Sequence, residues 1–218
     1  MLYDGMAWNF MYVLVPRLKE KGTAGFMLFV GSLTLLFGIM FAEFTYPGYS
    51  VSLNYISDLG AHGVVPAAFF NISIVIFGLS AVYAGFLLRS SLDRAIGTLA
   101  IIAGLGATLV GIFNEGTIIE VHYTGAFMAF FFGGVAVLLS AKRVFKPPMS
   151  YVFWVLGGMS LLFLIVFGIN LALSEKNYLG LGVGGVERLV AYPIIFWALA
   201  LGAYLVAVVM TERASNTT

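Results

Sequence analysis

Cysteine is absent from this chain of 218 residues. Disulfides, thiolate metal sites, iron–sulfur clusters and cysteine nucleophiles are thereby excluded. Charge is almost as scarce: 11 basic and 10 acidic side chains make up 10% of the residues and leave a net charge of +1. Soluble domains carry about 25% charged residues, so this chain has too few to cover a water-facing surface. No basic surplus exists to neutralise phosphates, which argues against nucleic acid as a partner. Histidine is limited to His62 and His122.

What is present instead is apolar: 61% of the residues are hydrophobic and the mean hydropathy is +1.02. A helix needs about 20 mainly apolar residues to cross a bilayer. Six segments supply them, at roughly 24–44, 67–88, 95–113, 122–141, 150–172 and 188–210. Runs such as Val152–Leu156 do not alternate, which excludes barrel strands. The pattern predicts an all-α polytopic membrane protein: a six-transmembrane-helix bundle, with residues 1–218 forming a single membrane domain. Glycines recur through the spans, where small residues let helices approach closely.

Lysine and arginine set the orientation. With the N-terminus inside, Arg17, Lys19, Lys21, Arg89, Arg94, Lys142, Arg143, Lys146 and Arg213 are cytoplasmic, and only Lys176 and Arg188 are outside. Both termini are then cytoplasmic, in a multi-pass protein of the cell membrane. Met6–Val15 is too short to span, and its positive charge follows the apolar run, the reverse of a signal peptide. An inner interfacial helix is expected over 1–22, with Trp8 and Tyr12 at headgroup depth. The glycines Gly180, Gly182 and Gly185 match a dinucleotide-binding spacing, but they follow a membrane span and not a strand, so the match lacks its context.

The acid–base groups gather on the expected outer side. Glu43, Asp58, Glu115, Glu120, Glu175 and Glu187 lie there with both histidines. The first outer loop, Ser50–Gly60, reads as a surface helix on which Asp58 and His62 stand four apart and can touch. His62 and His122, completed by Asp58, Glu115 or Glu120, would suit zinc or another divalent first-row metal. No HExxH pair occurs, so such a site needs separate segments brought together. A haem would have to hang between two histidines near one leaflet, and none is expected. Arg188 beside a glycine-rich loop would hold a lipid phosphate or pair with Glu43, Asp58 or Glu115.

The segment Asn54-Tyr-Ile-Ser57-Asp58-Leu59-Gly60, followed by Phe69-Phe70-Asn71 at the second span, resembles the prokaryotic membrane proteins grouped as domain of unknown function 998. The pattern of that family is matched by Ser57, Leu59, Gly60, Phe70, Asn71, His122, Glu187 and Arg188, across about residues 24–210. The resemblance implies a six-span fold. A more distant likeness to Frag1/DRAM/Sfk1-like proteins implies lipid handling without supplying a catalytic residue. His62 is outside the family pattern, which counts against a two-histidine metal site.

These observations predict an outward-facing polar pocket that binds a lipid headgroup or small ligand, lined by Ser57, Asp58, Glu115, His122, Glu187 and Arg188. A rival reading is a metal- or His-dependent membrane hydrolase acting on a lipid, with His122 as base or ligand and Asp58, Glu115 and Glu120 as ligands or acid. A third is an accessory subunit, whose glycine-rich faces would meet a partner membrane subunit or a second copy of the chain.

Overall fold

The computed structural model describes residues 2–61, 63–173 and 180–215, with side chains described from Pro16 onward apart from Val64. Its elements are α1 (Leu2–Thr45), α2 (Asp58–Ala61), α3 (Val64–Ser91), α4 (Arg94–Ile112), α5 (Ile119–Phe127), a π-helical turn (Met128–Phe132), α6 (Gly133–Arg143), α7 (Met149–Leu173) and α8 (Gly182–Ser215). Six helical stretches are long and apolar enough to cross a membrane: Pro16–Thr45, Val65–Ser91, Arg94–Ile112, Ile119–Arg143, Met149–Leu173 and Gly182–Ser215. The protein is therefore a helical membrane bundle, as the hydropathy pattern predicts.

The expected interfacial segment is not set off from the first span by a break, because α1 runs without interruption through Pro16. The residues that follow, Arg17-Leu-Lys-Glu-Lys21, are good helix formers and carry the helix across the junction.

Neighbouring contacts close the spans into a ring: α1 packs on α3 and α8, α3 on α4, α8 on α7, and α7 on α6. The fourth span, made of α5, the π turn and α6, completes the ring against α4. Lipid supplies no hydrophobic drive for helix association, so close approach of backbones has to hold the ring together. Glycines provide it. Gly78 and Gly85 on α3 face Gly104 and Gly97 on α4, and a Cβ at Gly78 or Gly85 would lie 2.6 or 2.7 Å from the facing carbonyl oxygen. The repeat is seven residues on both helices, so the glycines stay on one seam along the pair. Gly25 on α1 meets Gly202 on α8 in the same way.

The fourth span changes partner at its π turn. Above it, α5 leans on α4, where a Cβ at Gly125 would come within 2.8 Å of the Gly106 carbonyl oxygen. Below it, α6 leans on α7, with Leu138 packed over Gly157 and Leu161 over Gly134. α6 packs along α7 whereas α5 hardly meets it. The fourth and fifth spans consequently part toward the N-terminus of α5.

At the opposite end, α3 and α4 are joined by a tight turn held by Asp93. Its Oδ1 accepts the N–H groups of Ala95 and Ile96 at 2.9 and 3.0 Å, capping α4. Arg143 reaches the same carboxylate at 3.1 Å. Burial works against the charged form of Asp93, but the Ile96 N–H, Arg143 and the Ala95 N–H outweigh it and hold the carboxyl below its usual range. A carboxyl with a depressed folded pKa stabilises above its unfolded pKa, and that contribution is lost as pH falls through the folded value. Asp93→Ala is expected to cost about 1 kcal/mol. Unfolding in detergent should show the full deficit at neutral pH and convergence with the wild type in acid.

Candidate functional site

The loop Tyr46–Ile56 caps one end of the ring, and its backbone is not helical over most of its length. Backbone groups at such a depth must be satisfied by protein where water is scarce. The first turns of α8 perform that task. The Glu187 carboxylate accepts the N–H of Ile56. Arg188 donates from Nη1 to the carbonyls of Val51 at 2.9 Å and Gly184 at 3.0 Å. From Nη2 it donates to Glu43 at 2.6 Å and to the Tyr49 hydroxyl at 2.7 Å. Tyr49 passes the chain on by donating to the Tyr55 carbonyl at 3.0 Å. Burial pushes the Tyr49 hydroxyl up to about 12, so it stays a donor across the physiological range.

The glycines at the start of α8 belong to the same seam. Gly182 has φ +69°, and the backbone of Ser52 lies where its Cβ would go. Gly184 donates to the Ser52 carbonyl at 2.9 Å, and the Ser52 hydroxyl donates to the Leu181 carbonyl at 2.9 Å. The spacing that imitates a dinucleotide fingerprint is thus a backbone-to-backbone docking surface for the loop.

This seam explains why the expected surface helix over Ser50–Gly60 does not form. Turns span Val51–Leu53, and only Asp58–Ala61 is helical. A helix would need the Val51 and Ser52 carbonyls for its own ladder, but Arg188 and Gly184 take them. Asp58 reinforces the turn: its Oδ2 accepts from Asn54 Nδ2 and from the Tyr55 N–H, both at 3.0 Å. Leu59 is fully buried. Gly60 packs flush against Phe70 and Asn71, and its carbonyl accepts from Asn71 Nδ2 at 3.0 Å. The family-like residues Leu59, Gly60, Phe70 and Asn71 therefore form one latch between loop and α3.

Beneath the loop, a cleft of about 500 Å³ opens where α5 and α7 part. Tyr55, Ser57, Glu115, His122, Tyr123 and Glu187 line its polar part. Phe127, Phe131, Leu164, Ile165 and Leu171 line its apolar part, and Phe127, Ile165 and Leu171 are half or more exposed on the outside of the bundle. The Ser57 hydroxyl donates to Glu115 Oε1 at 2.5 Å. The same oxygen lies 3.7 Å from His122 Nε2. The other His122 nitrogen, Nδ1, is 2.9 Å from the Phe113 carbonyl, which requires a proton on Nδ1 and leaves Nε2 turned to Glu115. Burial raises the Glu115 pKa, the Ser57 bond lowers it, Asp58 raises it and His122 lowers it; the net direction is upward. A separate interior chamber of about 90 Å³ shares Ser57, His122 and Glu187 with the cleft and is otherwise almost wholly apolar.

Of the residues expected to share a pocket, Ser57, Glu115, His122 and Glu187 do so. Asp58 orders the loop behind them, and Arg188 faces away into the Glu43–Tyr49 network. Of its expected partners Arg188 pairs with Glu43, and it does not line the cleft. Glu120 is exposed on the first turn of α5, outside the cleft. His62 and Glu175 lie outside the described residues. Among the described residues no three histidine, aspartate or glutamate side chains cluster as a metal would need. Tyr55, Tyr123, Phe130 and Phe167 were not legible as site residues, because aromatics are frequent everywhere in this chain and only the fold selects these.

A family model described as "Protein of unknown function (DUF998)" matches residues 29–204. No curated protein and no solved structure matches the chain.

Breaking the Arg188 network leaves the part-buried Glu43 carboxylate and the loop carbonyls without their donor. Arg188→Ala is expected to cost about 1.5–3 kcal/mol. Arg188→Lys should recover only part of that, since a single ammonium cannot reach all four acceptors in the guanidinium's fixed geometry. Thermal unfolding of both variants in detergent, with a melting temperature equal to that of the wild type, would refute this assignment.

Proposed function

The chain belongs to the DUF998 family, and on that premise we propose that it is an integral membrane protein that holds an amphiphilic ligand in the cleft between α5 and α7. The observation that carries the reading is the make-up of that one cleft. Hydrogen-bonding groups occupy the end beneath the loop, and apolar side chains line the stretch that opens sideways between two spans. An amphiphile has the same division, and a ligand already in the bilayer could enter without crossing water. Along α7 the lining runs from Leu171 to Leu164, about 10 Å at the helical rise. The volume falls within the range of ordinary small-molecule sites, about 300–1,000 Å³.

The orientation that goes with this reading places the loop end outside the cell. Its support is the excess of lysine and arginine at the opposite end, from Arg17 to Lys21 and in the α3–α4 and α6–α7 connections. The positioned carboxylates and His122 then face the external leaflet.

Two experiments test these statements. Gly168 lines the cleft, and a Cβ there meets nothing within 4 Å, so Gly168→Trp has room to leave the helix and project its ring into the cleft. Gly158 on the same helix is equally open but lies away from the cleft, and Gly158→Trp serves as the control. Native mass spectrometry of protein released from phospholipid nanodiscs should show a retained lipid in the wild type and the control that is lost in Gly168→Trp. Equal retention in all three would dispose of the cleft reading. For orientation, the absence of cysteine allows single introduced thiols to report sidedness. A membrane-impermeant maleimide should label Gly116→Cys in intact cells and Ser91→Cys only after lysis; the reverse pattern would invert the topology.

A further inference from the structure

The polar end of the cleft has an uneven supply of hydrogen-bonding groups. Glu187 is 5% exposed, and one of its oxygens accepts the Ile56 N–H; the other accepts no hydrogen bond from a described residue. His122 is 3% exposed, and its Nε2, which makes no hydrogen bond to a described residue, lies 3.7 Å from Glu115 Oε1. The Ser57 proton is already given to Glu115. Arg188, the cation next in sequence, directs both Nη atoms to Glu43, Tyr49 and the Val51 and Gly184 carbonyls and does not line the cleft. Unfilled acceptors thus face the cleft, and two carboxylates, buried Glu187 and part-buried Glu115, border it with no described lysine or arginine in its lining. An acceptor closed off from water requires a donor, and a carboxylate there requires counter-charge.

We infer that the head of the bound amphiphile is a primary amine in its ammonium form, received by Glu187 and Glu115 with His122 Nε2 as a third acceptor. The inference rests on the cleft reading above and narrows it. An ammonium brings three N–H donors and one positive charge, which is what the polar end lacks. Aromatic faces complete the environment: Tyr55 packs edge-on against Phe167 at 5.7 Å and Phe130 does so at 6.4 Å, all three on the cleft wall. Where such a ring turns its face to the head group, it favours a cation over an anion. A phosphate or sulfate head would set its negative charge against the carboxylates.

The test uses the full chain in lipid nanodiscs and compares dodecylamine, dodecyl phosphate, dodecanol and butylamine as probes. Dodecylamine should bind most tightly. Glu187→Gln and Glu115→Gln should each weaken it by about 10-fold or more, the loss expected for a hydrogen bond to a charged group. Dodecanol should bind more weakly and change little in either variant. Both substitutions keep an acceptor oxygen, so the Ile56 and Ser57 bonds survive. A thermal unfolding curve equal to the wild type's verifies that for each. Dodecyl phosphate binding as tightly as the amine, or amine affinity unchanged in both variants, overturns the ammonium assignment while leaving the cleft reading standing. Butylamine matching dodecylamine would uphold the ammonium assignment and overturn the amphiphile. Failure of every probe, with Gly168→Trp also without effect on retained lipid, overturns the cleft reading and this inference together.

Discussion

A stretch of irregular backbone at the mouth of a membrane bundle must have its carbonyls and N–H groups satisfied by protein, and most of the site follows from how this chain meets that demand. The loop after α1 cannot be helical along its length and also follow the surface it covers. Its free groups are taken by two consecutive side chains of α8, Glu187 and Arg188, and by the backbone of Gly184. Glu187 and Arg188 point different ways from one helix turn, so the loop is held on two sides. Arg188 consumes its charge on Glu43, and Glu187 remains between loop and cleft. The carboxylate that secures the loop thereby also becomes the floor of the cavity beneath it.

The cavity itself arises from helix packing. Without a hydrophobic drive between spans, contact depends on where small residues allow backbones to meet. Glycine pairs draw α3 to α4 and α1 to α8 along their lengths. On the fourth span Gly125 faces α4 above the π turn, and below it Gly134 faces α7 while Gly133 faces Ile194 of α8. One helix cannot lie flush against two neighbours over both halves, so a gap opens where it leaves α7. The π turn, with its widened hydrogen-bond pattern, sits at that change of partner, a common location for such turns.

The residues that resembled a family pattern divide by physical task. Leu59, Gly60, Phe70 and Asn71 latch the loop to α3, while Arg188 ties it to α1 and α8. Ser57, His122 and Glu187 border the cavity. A motif read from sequence mixes these tasks, because both need fixed side chains in fixed places. Asp58 illustrates the difficulty. It reads from sequence as a ligand, and in the fold its Oδ2 accepts from Asn54 and the Tyr55 N–H, so it also orders the loop.

The sequence by itself determined the solvent and the number of spans, since both depend on local composition: too little charge for water, and six apolar stretches long enough for lipid. It also determined that Glu43, Asp58, Glu115, Glu187 and His122 would lie on one side of the bundle, because the order of spans assigns each loop to a side. What only the tertiary structure decided was grouping within that side. Arg188 is adjacent to Glu187 in sequence, but the helix rotates successive side chains by about 100° and sends one to Glu43 and the other to the cleft. Ser57 and Glu115, 58 positions apart, are joined by a hydrogen bond. Pairings of that kind depend on which helices pack side by side, and that is settled by glycine contacts summed over the whole ring, beyond the reach of any local pattern.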